Sequence, residues 1–200
     1  EIGKNKAPVA YWLESSLRRV YPATRPGSSA LSLTAPRNGK ASFQVCVRND
    51  SVHLIGFDCA IAGADDLKPR ARRVDLVPLP HFTPGTEPAE LEGVEHGPGL
   101  IPDPLHPEPK LLIGPNETRS FWVSLTIPAD AAPGPREIKA RITPWGATEG
   151  TEISVALNVA KLVVQPRRDF PVIHWWRGEA TWDYYQTGRF DERWWQHTKD

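Results

Sequence analysis

The sequence predicts a mostly β protein. Residues 1–168 read as an antiparallel Ig-like β-sandwich, and residues 169–200 as the first βα unit of a truncated (β/α)8 barrel. Three observations predict this. Short alternating apolar runs recur along the first 164 residues, separated by turns rich in Pro, Gly and Asn, which is the pattern of a sandwich. Nine of the 18 aromatic residues (eight Trp, six Phe, four Tyr) then crowd between Phe170 and Trp195. That crowded stretch opens on an apolar run at Val172-Ile173 and closes on a helix signal at Asp191, a strand-then-helix order that cannot bury itself. A barrel needs about 250 residues and only about 30 remain after the sandwich.

Each element follows from local signals. Residues 1–7 are polar and read as loose. Pro8 to Leu13 is a strand with Tyr11 and Trp12, and Ser15-Ser16 starts a short helical turn that Pro22 ends. Pro26-Gly27 marks a loop before a strand from Ala30 to Ala35, and Pro36-Arg37-Asn38-Gly39 is a turn because Asn-Gly tolerates positive φ. Lys40 to Arg48, Leu54 to Ala62 and Arg73 to Leu79 alternate as strands. Nine of the 21 prolines lie between Pro78 and Pro109. Proline removes a ladder donor, so Pro80 to Pro109 reads as either a disordered linker or an ordered functional loop outside any sheet interior, and Phe82, Leu91, Leu100, Ile101 and Leu105 favour a packed loop. Strands resume at Lys110 to Ile113, Thr118 to Ile127, around Ile138-Ala140-Ile142, and Thr151 to Val164, with Gly146 to Gly150 as a turn and Gln165 to Asp169 as the linker out. In the last segment Asp183, Tyr184 and Tyr185 read as a polar loop, Gly188 breaks it, and Asp191 N-caps a helix carrying Trp194 and Trp195.

Charge and cysteines narrow the classes. Lys plus Arg equals Asp plus Glu at 24 each, so no global field attracts nucleic acid or an anionic membrane. No apolar stretch approaches the roughly 20 residues that span a bilayer. The chain does not begin with Met and contains none, so its start says nothing about targeting. Its Pro- and Arg-rich style suggests a bacterial origin, secreted, periplasmic or cytoplasmic. Alternation is expected to point Cys46 and Cys59 to opposite sides of the sheet, which argues against a disulfide. His81, His96 and His106 are spaced too widely for a compact ligand motif, so neither a metal nor another cofactor is expected.

Several pieces in order resemble the front end of glycoside hydrolase family 123 and its relatives. They are Glu14-Ser-Ser-Leu-Arg-Arg-Val-Tyr-Pro22, Arg37-Asn-Gly-Lys-Ala-Ser-Phe-Gln-Val45, Pro102-Asp-Pro-Leu-His-Pro107, Ile127-Pro-Ala-Asp-Ala-Ala-Pro-Gly134 and Phe170-Pro-Val-Ile-His-Trp-Trp176. The resemblance implies a sandwich followed by a (β/α)8 barrel, and a retaining β-N-acetylgalactosaminidase or a relative acting on another glycoside. In that family the sugar's own 2-acetamido group attacks its anomeric carbon. An adjacent Asp-Glu pair polarises the acetamido group and supplies the general acid/base, an exception to the two-carboxylate scheme. That pair lies deeper in the barrel, so this chain carries no catalytic residue and is inactive alone. Asp191-Glu192 is read as a helix cap and first-turn acid, where negative charge meets the helix dipole.

The candidate substrate-binding residues are His174, Trp175 and Trp176, at the end of the first barrel strand, with Asp183 and Tyr184 in the following loop. Aromatic rings there could stack on a sugar, and His174 or Asp183 could bond its hydroxyls. The competing reading packs them as core. Pro102 to Pro107 is expected to reach toward the barrel mouth. The expected partners are a carbohydrate substrate and the rest of the barrel in the same polypeptide, with no nucleic acid and no membrane. The alternative is a stand-alone carbohydrate-binding or structural sandwich without catalysis. In the hydrolase reading Val172, Ile173, Trp194 and Trp195 should be unburied in this chain; in the alternative they should pack on the sandwich.

Overall fold

The computed structural model describes residues 8–81, 85, 87, 98–167, 169, 171 and 178–199. The chain divides into two compact units, Glu1–Gln165 and Pro166–Asp200.

The described residues of the first unit form a β-sandwich of ten strands: β1 (Val9–Ser15), β2 (Leu31–Arg37), β3 (Gly39–Asn49), β4 (Ile55–Ala62), β5 (Arg70–Leu79), β6 (Gly99–His106), β7 (Lys110–Ile113), β8 (Glu117–Ile127), β9 (Gly134–Pro144) and β10 (Thr151–Val163). They form two five-stranded sheets, ordered β1-β3-β8-β5-β6 and β2-β10-β9-β4-β7. The inward faces interdigitate as alternation predicts. Phe43, Val45, Val47, Phe121, Val123, Leu125 and Ile127 of the first sheet meet Phe57, Cys59, Ile138, Ala140, Ile142, Val155, Leu157 and Val159 of the second.

Five features add to the sequence reading or depart from it. The sandwich is not wholly antiparallel, because β2 pairs with β10 in parallel. Asn38, at φ 55°, turns the chain from β2 in one sheet into β3 in the other, so the Asn-Gly turn crosses between sheets rather than closing a hairpin. The proline-rich stretch contains an ordered strand, β6, whose register against β5 shifts between Val74 and Leu76. It is an edge strand, the place in a sheet where Pro102 and Pro104 cost no ladder bond. Residues 15–18 form a turn closed by Arg18 N–H to Ser15 C=O at 3.2 Å, not a helix. A 3-10 turn at Asp65–Leu67, not foreseen, buries Leu67.

Within the first sheet, Phe43 to Asn49 of β3 are buried on both faces. Trp12, Val20 and Cys46 form a second, smaller cluster on its outer side. Several polar side chains on that face are hydrogen-bonded, whereas the buried Trp12 indole N–H has no partner among the described residues. Arg48 Nε donates to Asp50 Oδ1 at 2.6 Å, and Thr118 Oγ1 donates to the Thr24 carbonyl at 2.7 Å. Gln44 Nε2 donates to the carbonyls of Ser15 at 3.0 Å and Arg18 at 2.6 Å, while its Oε1 accepts from Ser120 Oγ at 3.0 Å. Cys46 therefore lies outside the main core and Cys59 within it, and both are free thiols.

The described residues of the second unit form two helices, α1 (Glu179–Tyr185) and α2 (Glu192–Lys199). No helix among the described residues is long and apolar enough to cross a membrane.

Candidate functional site

In the second unit, Asp183 and Tyr184 sit on α1, where the sequence reading placed a loop. The helix forms because its rings have partners at helical spacing. Trp182 and Tyr185, three residues apart, meet Trp194 and His197, also three apart on α2. Tyr185 stacks on His197 at 3.9 Å between centroids, and Trp182 lies 6.5 Å from Trp194. Packing of this kind sustains a helix too short to form on its own. Gln186, at φ 51°, ends it by donating its N–H to the Trp182 carbonyl.

Asp191 caps α2 as expected: its Oδ1 accepts from the Trp194 N–H at 2.7 Å and its Oδ2 from the Gly188 N–H at 2.6 Å. The Trp194 N–H is the main reason its carboxyl is held below the usual range. Trp194 is fully buried against Trp182, Phe190 and Trp195, contrary to the expectation that it would be unburied in this chain. Trp195, Tyr185 and Phe190 stay about half open, and Tyr184 is 80% exposed. Tyr184 and Asp183 thus stand on an aromatic, solvent-facing helix that can offer a ring and a carboxylate to a ligand. His174, Trp175, Trp176, Val172 and Ile173 lie outside the described residues.

The sandwich carries its own concave surfaces. A cleft of about 280 Å³ opens on the outer side of the first sheet between the 16–20 segment and β6, lined by Arg18, Gln44, Trp122, Pro102, Asp103 and Leu105. The Pro102-Asp-Pro-Leu105 motif therefore shapes a cleft wall on the sandwich itself. Beside β5, Asp75 gathers basic side chains: Arg119 Nη2 at 2.8 Å and Arg73 Nε at 3.4 Å, with His106 Nε2 at 3.5 Å. Desolvation pushes the Asp75 carboxyl up, but the Leu76 N–H, Arg119 and Arg73 together outweigh it and hold the group below its usual value. No group of three His, Cys, Asp or Glu suited to a metal ion occurs among the described residues.

One residue that sequence reasoning missed is Trp145, in the turn just after β9. Its N–H donates to the Gly56 carbonyl at 2.8 Å. Its six-membered ring lies over Gly56 so closely that a Cβ there would fall 2.1 Å from Cδ2 and Cε3. Trp145 nonetheless exposes 52% of its surface. The only local signal is a Trp before the Gly146 turn. Its glycine partner is linked to it through a strand register that the sequence does not display.

No protein-family model matches the chain, and no curated protein matches it. Among solved structures it is similar to a family 123 glycoside hydrolase from Clostridium perfringens, described for glycolipid glycan hydrolysis. The TM-score is 0.59 at 13% identity, over 78% of this chain and 28% of that one. The chain thus spans less than a third of that hydrolase's length. It is also similar to a FixG-related protein from Vibrio parahaemolyticus, with TM-score 0.40 and 9% identity, over 78% of this chain and all of that one. At these identities the likeness to the hydrolase shows the sandwich fold alone.

Proposed function

We propose that this chain is the N-terminal accessory region of a glycoside hydrolase resembling retaining β-N-acetylgalactosaminidases that use substrate-assisted catalysis. The observation that carries the reading is the sandwich's likeness to a segment of a much longer family 123 hydrolase. The ordered motifs from Glu14 to Trp176 support it, as does the aromatic segment that follows the linker. In this reading the residues after Asp169 open a (β/α)8 barrel, and the catalytic Asp-Glu pair stands downstream. His174, Trp175, Trp176, Asp183 and Tyr184 contact the sugar around that centre, the rings through stacking and the polar groups through hydroxyls. The acetamido group of the substrate serves as nucleophile, so the protein's task is to polarise that amide and to move a proton at the leaving oxygen.

The test is hydrolysis of p-nitrophenyl β-N-acetylgalactosaminide and its gluco epimer by the whole natural protein, beside the 200-residue chain. The expected result is release by the former and none by the latter. Turnover by the 200-residue chain, or none by the whole protein on any β-linked N-acetylhexosaminide, would sink the proposal.

A further inference from the structure

The outer face of the second sheet carries a surface that this hydrolase reading does not use. Pro144 to Ala147 is a β-turn in which the Ala147 N–H donates to the Pro144 carbonyl at 3.0 Å and Gly146 takes φ 79°. A positive φ at the third position of a hydrogen-bonded turn is the type II pattern, which fixes the direction of the residue before it. That residue is Trp145. The turn, its N–H bond to Gly56 and the contact with Gly56 hold the indole in one place. Gly56 occupies one side of the ring, and the half that stays exposed faces solvent.

The register sets polar groups beside it. Asp58 pairs with Lys110 on one side and Thr143 on the other, and these three project from the same face as Gly56 and Trp145. A carboxylate, an ammonium and a hydroxyl therefore stand in a row next to a fixed aromatic ring. Two clefts, of about 490 and 400 Å³, open along this ridge, and Trp145 and Lys110 border both. The cations that line them, Arg73, Lys110 and Arg119, are matched by Asp58, Asp75 and Glu108. The surface has no net sign, so neither a polyanion nor a strongly charged peptide is favoured there.

We infer that Trp145, Asp58, Lys110 and Thr143 form a carbohydrate-binding surface that takes a neutral pyranoside. A pyranose presents C–H groups on one face and hydroxyls around its edge. The exposed indole fits the first, and the donor–acceptor row fits the second. Because Gly56 and the turn hold the ring in the free protein, binding loses little side-chain entropy. The site lies on the sandwich and acts without a downstream domain. Its failure leaves the hydrolase proposal standing, and the reverse also holds.

The experiment titrates the 200-residue chain with cellotriose, chitotriose and methyl β-N-acetylgalactosaminide, using saturation-transfer NMR and calorimetry. At least one sugar is expected to bind with a dissociation constant of roughly millimolar or better. Trp145→Ala should weaken that binding by about tenfold or more while the chain keeps the far-UV circular dichroism of the folded sandwich, and Trp145→Tyr should keep part of it. Gly56→Ala, which pushes the ring off its seat, should also lose affinity while retaining the indole. Lys110→Ala should weaken binding a few-fold. Absence of binding to all three sugars, binding indifferent to Trp145→Ala, or self-association of the chain through Trp145 would overturn the inference.

Discussion

Replacing Gln44 with Leu should cost far more than its single side chain suggests. The side chain is only 3% exposed and closes three hydrogen bonds, two from its amide N–H to the Ser15 and Arg18 carbonyls and one from the Ser120 hydroxyl to its oxygen. Each neutral bond contributes about 1 kcal/mol net, which sets a ceiling near 3 kcal/mol. Arg18 is exposed and Ser15 partly so, and water can reach their carbonyls once the turn loosens. The Ser120 side chain, in a residue 2% exposed, stays stranded. The expected loss is therefore about 2–3 kcal/mol, or a fall of roughly 4–12 °C in the melting temperature of a chain this long. The assay is urea unfolding followed by far-UV circular dichroism, with the m-value unchanged. Adding Ser120→Ala to Gln44→Leu should recover about 1 kcal/mol, because the orphaned hydroxyl is then gone. Amide exchange at residues 16–20 should speed up in the single variant. A loss under about 0.5 kcal/mol, or strict additivity in the double variant, would refute the argument that Gln44 ties this turn to the sheet.

Two further outcomes follow from the buried and paired groups. The Asp75 carboxyl is held below its usual value, so its ion pairs contribute stability above the unfolded-state pKa and lose it as pH falls through the lowered folded value. Melting temperature against pH should therefore drop less steeply on the acid side in Asp75→Asn than in the parent; parallel curves would contradict this. Burial pushes the Cys59 thiol up to about 12 and also raises Cys46, so both should resist a thiol-reactive dye at pH 8 until urea unfolds the chain. Rapid labelling of the native protein, or a mass two protons light from a disulfide, would show the two thiols are not placed as described.

Much of the sandwich was legible because its signals are local. Phe43, Val45 and Val47, or Phe121, Val123 and Leu125, announce their strands by period-two alternation, and those residues do form the core. That Cys46 points away from the core and Cys59 into it was legible for the same reason, but the two strands lie in different sheets and not, as expected, in one. What stayed hidden depends on partners far along the chain. The parallel pairing of Leu31–Arg37 with Thr151–Val163 leaves no mark in either segment. The Gly99–His106 strand looked like loop because prolines exclude a central strand, and local sequence does not distinguish an edge strand from none. In the last segment, Asp191 announced its helix through capping chemistry. The helix at Glu179–Tyr185 did not announce itself, since it rests on Trp182 and Tyr185 meeting Trp194 and His197. Trp145 gains its meaning only from Gly56 beneath it, which no local signal displays.

The most direct test of the hydrolase reading is the intact mass of the natural protein. The account predicts a mass of at least roughly twice the 22.3 kDa of this chain, enough to hold a barrel of about 250 residues. A natural mass near 22.3 kDa would contradict it and leave a sandwich that acts by binding alone.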